Sequence, residues 1–125
     1  MIFDTDVLIW LMRGNTKAAN AIDKADMRTI SIVTYMELLQ GSRDKREMKA
    51  IKSFLAEMQF QTLSLTENIG HRASIYMEEY ALSSSIGMAD ALIAATAVEA
   101  GELLFTGNEK HFKAINELDV KRFRP

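Results

Sequence analysis

Four oxygen-bearing side chains, Asp4, Glu37, Asp90 and Asn108, stand where an apolar run meets a polar segment or where a helix is expected to begin, and they come from well-separated parts of the chain. Asp4 closes the apolar run 1–3, and Glu37 lies one helical turn beyond the β-branched run 29–33. Asp90 falls in the first turn of an alanine-rich helix, between Ala89 and Ala91, whose small side chains allow close approach. Asn108 comes just after the run 103–106. Three carboxylates packed together repel one another, and each then resists ionising. A divalent cation removes that conflict. Oxygen donors without histidine or cysteine suit Mg²⁺ or Mn²⁺ rather than zinc. Such an ion acidifies a bound water and stabilises charge on phosphate oxygens, so metal-assisted hydrolysis of a phosphodiester is the reaction class that follows.

Each position also has an ordinary structural role open to it. Thr34-x-x-Glu37 has the form of a capping box. Asp90 could complement the dipole of its helix. Asp6 reads as an N-cap, and Asn108 as a cap or turn residue. Asp4 is harder to assign this way, because a carboxylate closing a buried strand is costly without a partner or ligand.

The elements that would position these residues alternate between short β-like runs and longer helical ones. Residues 1–3, 29–33, 60–65 and 103–106 read as strands, and 120–123 as a fifth, edge strand. Helices are expected over 7–12 (capped by Thr5 or Asp6), over 15–24, from Thr34 to a stop at Gly41, and over 44–58, 66–83, 87–100 and 108–115. Within 44–58, Met48, Ile51, Leu55 and Met58 recur at helical spacing, and Lys45, Lys49 and Lys52 line another face. Strands alternating with helical crossovers imply an α/β fold with a mostly parallel sheet covered on both faces. Ligand sites in such folds lie beyond the carboxyl ends of the strands, so at least three of the four positions are expected at one edge.

The bulk properties narrow the classes further. The chain has 125 residues, 48% hydrophobic and 26% charged, which suits one globular domain over 1–125. With no cysteine, disulfides, zinc–thiolate sites and cysteine nucleophiles are excluded. No apolar run approaches the roughly 20 residues of a membrane span. Residues 1–6 carry acid and no basic stretch, so no export signal is expected and a cytoplasmic location is. A net charge of −2 means that nucleic acid would have to be met by local basic groups. Lys110, His111 and Lys113, beside Asn108, are the candidates for backbone contact, although a histidine there more often caps or packs; the Lys45–Lys49–Lys52 stripe reads as a solvated face, and Arg122 and Arg124 as solubilising. Met12, Met36, Met48, Met58, Met77 and Met88 read as core packing, with a groove for an amphipathic partner helix as the alternative.

Four segments taken together carry a family resemblance: Ile-Phe-Asp-Thr-Asp-Val-Leu-Ile at 2–9, Ser-Ile-Val-Thr-Tyr-Met-Glu-Leu-Leu-Gln-Gly at 31–41, Ala-Asp-Ala-Leu-Ile-Ala-Ala-Thr-Ala at 89–97, and Phe-Thr-Gly-Asn-Glu-Lys-His-Phe at 105–112. In order and spacing they resemble the PIN-domain family, and within it the VapC toxins of toxin–antitoxin pairs. The resemblance implies a Rossmann-like α/β/α sandwich and a Mg²⁺- or Mn²⁺-dependent endoribonuclease. It implies an acidic triad of Asp4, Glu37 and Asp90, with Asp4 and Asp90 the direct metal ligands. It also implies a homodimer, and a VapB-like antitoxin whose tail blocks the acidic pocket. Thr106, Thr34 and Asp6 would support the site through hydrogen bonds. Where the family often has a fourth acid, this chain has Asn108, which puts a second tightly held metal in doubt. Two alternatives stand beside this one. The run Phe-Asp-Thr-Asp-Val-Leu at 3–8 also resembles the opening motif of haloacid-dehalogenase-type phosphatases, although the late acidic pair of that chemistry is missing here. A non-catalytic binding module on the same fold is the other.

Overall fold

The computed structural model describes residues 1–125. The chain runs β1 (Ile2–Phe3), α1 (Thr5–Met12), α2 (Thr16–Lys24), β2 (Thr29–Ser31), α3 (Ile32–Gln40), α4 (Lys45–Glu57) and β3 (Gln61–Leu63). It continues through α5 (Glu67–Ser84), α6 (Met88–Ala100), β4 (Leu104–Thr106), α7 (Glu109–Phe112) and β5 (Val120–Arg122). The five strands form one sheet in the order β3-β2-β1-β4-β5, and every pairing is parallel.

Strand alternation explains the layers. Successive residues of a strand face opposite sides of the sheet. Ile2 and Leu104 join a core on one face with α5 and α6, through Ile69, Ala73, Ile93 and Ala94. Phe3 and Phe105 point the other way, into a second core with α1 and α2, through Val7, Leu8, Ala18 and Ile22. There Phe105 meets both Phe3 and Phe123 edge-on, at centroid distances of 5.8 and 5.4 Å. Burying each such ring contributes ~2 kcal/mol. No helix is long and apolar enough to cross a membrane.

The strand order has a consequence for the site. The chain leaves β1 for β2 and β3 on one side, then returns to place β4 and β5 on the other. The crevice between β1 and β4 is therefore the topological switch point, where the helices following the two strands leave on opposite faces.

Several boundaries differ from the sequence-based expectations. Helix α1 begins at Thr5, not Val7, and its N-cap is Asp4 rather than Thr5 or Asp6. Strand β2 ends at Ser31, whose hydroxyl accepts from the Val33 N–H and caps α3. The β-branched Ile32 and Val33 thus lie in the first turn of a helix, because Val33 is buried against the first core. The Thr34–Glu37 capping box does not form. Strand β3 covers only 61–63 of the expected 60–65, and α7 stops at Phe112 rather than at 115. Of the methionines, Met58 and Met77 are half-buried and pack against the two cores as expected, whereas Met12, Met36, Met48 and Met88 are exposed. Alanines of α6 fill the interior instead, where α5 and α6 pack closely.

Candidate active site

Asp4 leaves β1 at the switch point and is only 5% exposed. Its Oδ1 accepts from the Thr5 N–H at 2.8 Å, the local bond that starts α1. Its Oδ2 accepts from the Thr106 hydroxyl at 2.7 Å, across the β1–β4 crevice. The Thr106 oxygen in turn accepts from the Asn108 N–H at 3.0 Å, which turns the chain after β4 towards the site. Burial pushes the Asp4 carboxyl up to about 7, against the Thr106 bond that favours its charge, and the charges of Asp6 and Asp90 push the same way. The fold thus brings Asp4, Asp6 and Asp90 within electrostatic reach of one another.

Asp6 sits in the first turn of α1 and spans to the loop after β4, where its Oδ2 accepts from the Gly107 N–H at 2.9 Å. Its Oδ1 is buried with no hydrogen-bond partner. Burial raises its carboxyl above the ordinary range despite the Gly107 bond, and Asp90 adds repulsion. Asp90, in the first turn of α6, faces His111, whose Nδ1 lies 3.3 Å from its Oδ2.

Glu37 is held from the other side. The Thr5 hydroxyl donates to its Oε1 at 2.6 Å and lies 3.0 Å from the Thr34 hydroxyl. The residue between the two aspartates of α1 therefore joins Glu37 and the buried Thr34 to the Asp4 corner. Sequence reasoning missed Thr5 as anything but a cap, and missed Gly107 altogether. It read His111 as a backbone contact or, more often, a capping or packing residue, and the imidazole stands against Asp90. A hydroxyl between two candidate acids was the available signal for Thr5, and the glycine directly after Thr106 the signal for Gly107. Asn108 reaches the site through its backbone, and its exposed side chain makes no capping bond.

The arrangement can be tested for a divalent cation. No three Asp, Glu or His side chains form a ready-made cage. Mg²⁺ does not require one, since it keeps several waters and takes one or two carboxylates together with substrate phosphates. A buried aspartate crowded by two further carboxylates, and an unpartnered buried oxygen on Asp6, form a hard-oxygen environment short of positive charge. Mg²⁺ or Mn²⁺ fits that donor set.

Comparison with known proteins agrees with this architecture. The PIN domain family model matches residues 1–118. Ribonuclease VapC10 of Mycobacterium tuberculosis is 35% identical over 122 residues, covering 94% of this chain and 90% of that protein. Ribonuclease VapC1 of Rickettsia felis is 36% identical over 129 residues, covering 96% and 93%. A toxin–antitoxin complex from Klebsiella pneumoniae superposes with a TM-score of 0.78 at 28% identity, covering 94% of this chain and 93% of that one. With the acids gathered where β1 and β4 part and nearly the whole length matched, the chain belongs to the PIN domain family.

Proposed function

We propose that this chain is a Mg²⁺- or Mn²⁺-dependent endoribonuclease, the toxin of a VapBC-type pair, and that Asp4, Glu37 and Asp90 carry the chemistry. The observation that supports this best is Asp4 itself: buried at the switch point, with its carboxyl raised to about 7 beside two other acids. Asp4 and Asp90 would hold the cation. When bound, it supplies positive charge against the phosphate and acidifies the attacking water. Thr106 orients the Asp4 carboxylate, and Thr5 and Thr34 orient Glu37, which stands ready to bind or deprotonate a water. Asp6 anchors the loop after β4 through Gly107. Hydrolysis forms a bond from the water oxygen to phosphorus and releases a ribose oxygen.

A VapB-like antitoxin is the partner in this reading, and the site of action is the cytoplasm. The relatives carry the name ribonuclease VapC, and a structural neighbour is a toxin–antitoxin complex. A groove of about 800 Å³ supports an antitoxin helix as its occupant. Ile9, Met12, Leu38 and Ile51 give it an apolar floor, and Glu37 stands in its wall, so its occupant reaches the acids. A homodimer completes the reading, with the fully exposed Leu82 and the 71% exposed Met88 covered by a second copy.

The test is cleavage of a mixed RNA pool by the purified protein with Mg²⁺, with Mn²⁺ and with EDTA. Cleavage is expected only with metal, and Asp4→Asn and Asp90→Asn are each expected to lose at least ~100-fold, the scale of removing a group that acts in the transition state. Variants that cut as well as the parent would overturn the site assignment. A parent that binds RNA but never cuts would favour the non-catalytic module, and a phosphoryl group trapped on Asp4 would favour the phosphatase alternative.

A further inference from the structure

Beside the acids lies a second cavity, of about 320 Å³, lined by Gly107, Asn108, Glu109, Lys110, His111 and Arg122. It contains no hydrophobic side chain. Bases bind single-strand sites by stacking on aromatic faces, and this pocket offers no Phe, Tyr or Trp. Backbone phosphates are bound by lysine and arginine, and two of its six lining residues are of that kind. Lys110 has no acidic partner, and Arg122 reaches Glu109 only at 3.9 Å. A weakly engaged guanidinium gives up little when it turns to a phosphate, and it can grip two oxygens at once.

The position of the pocket fixes its relation to the acids. Arg122 is paired in register with Thr106, whose hydroxyl holds Asp4. His111, on the pocket wall, faces Asp90. The pocket is therefore on the β4–β5 side of the Asp4 corner, whereas Glu37 and the apolar groove lie on the α3 side.

Resting on the nuclease reading above, we infer that the pocket of Lys110, His111 and Arg122 seats a phosphate of the RNA backbone next to the one that is cut, so that the strand crosses the carboxyl edge from α3 towards β5. Recognition there is of the backbone and not of the base, and sequence preference must arise elsewhere on the path.

Salt dependence of binding tests this without any cleavage. A fluorescein-labelled single-stranded oligoribonucleotide is titrated with the full-length protein in EDTA at several KCl concentrations. Each phosphate contact adds about 0.7 to the slope of log K against log salt for a single strand. Arg122→Gln and Lys110→Gln are each expected to flatten the parent slope, and the double variant to flatten it by about 0.7 in total if the two share one phosphate. Lys45→Gln with Lys49→Gln, on the exposed face of α4, is expected to leave the slope unchanged. All four positions are exposed, and thermal unfolding checks that the variants stay folded. A slope unaltered by the pocket variants, a slope lowered by the α4 pair instead, or no RNA binding by the parent would each overturn the inference. Loss of cleavage in Asp4→Asn is read separately, so the nuclease reading and the phosphate seat can fail independently.

Discussion

Gly107 has no room for a side chain. A Cβ built there would stand 2.5 Å from Asp6 Oδ2 and 3.6 Å from the Phe123 carbonyl oxygen. Gly107→Ala must therefore displace the carboxylate that holds this loop, and a loss of roughly 1–3 kcal/mol is expected from urea unfolding, as for other overpacked sites. The penalty should shrink on an Asp6→Ala background, where the obstructing oxygen is gone; equal penalties in both backgrounds would place the obstruction elsewhere. Asp4 makes a second prediction. An aspartate free in water titrates near 3.8, whereas the folded chain holds this one at about 7. Between those values the folded protein keeps a proton that the unfolded chain has released. In EDTA, the contribution of Asp4 to stability is thus greatest below pH 4, falls as pH rises to about 7, and is level above; Asp6 acts in the same direction, and Glu117, held down by its bonds to Tyr76 and Arg72, in the opposite one. The Asp4 part amounts to ~4 kcal/mol at most. Asp4→Asn should flatten this dependence and stabilise the cation-free protein at pH 8. An identical pH profile in parent and variant would show that the buried charge is not the cause.

At the scale of elements, the start of α3 decides where Glu37 points. Ser31 is fully buried, and its hydroxyl accepts from the Val33 N–H at 3.0 Å. Replacing it with alanine leaves that first-turn N–H without its side-chain acceptor. Ser31→Ala should cost ~1 kcal/mol in denaturant unfolding. Because the same helix carries Glu37, its turnover with RNA should fall as well. Thr34→Ala removes no cap, and its effect should come through the Thr5–Glu37 contact. If Thr34→Ala were the more damaging to the helix and Ser31→Ala neutral, the capping assignment would be wrong.

Over the whole molecule, the large apolar groups left in water gather in part around the α5–α6 junction. Leu82 near the end of α5 is fully exposed, and Met88 at the start of α6 is 71% exposed. Asp90 is two residues beyond Met88, so a second copy seated here would border the acids. Leu82→Lys with Met88→Lys should convert a dimer to a monomer in light scattering, since buried lysines would each need a partner. A parent that is already monomeric at high concentration would remove the dimer from the proposed function. Away from this junction, Arg72 binds both Glu99 and Glu117 at 2.7 Å and so ties α5 to α6 and to the segment before β5.

Periodicity and composition by themselves determined the alternation of strands and helices, the parallel sheet, and the carboxyl edge as the place for Asp4. Those features follow from apolar runs and turn residues a few positions apart, which local physics specifies. Asp90, Glu37 and Asn108 were legible as polar groups at element ends, but not the hydrogen bonds that aim them. Tertiary structure decided that Thr5 serves Glu37, 32 residues on, that Thr106 serves Asp4 across 102, and that Asp6 serves Gly107 across 101. It also decided that Ser31, not Thr34, starts α3, because burial of Val33 outweighs the strand preference of a β-branched pair. No short window of sequence contains both partners of such bonds; the strand order that brings β4 beside β1 creates them.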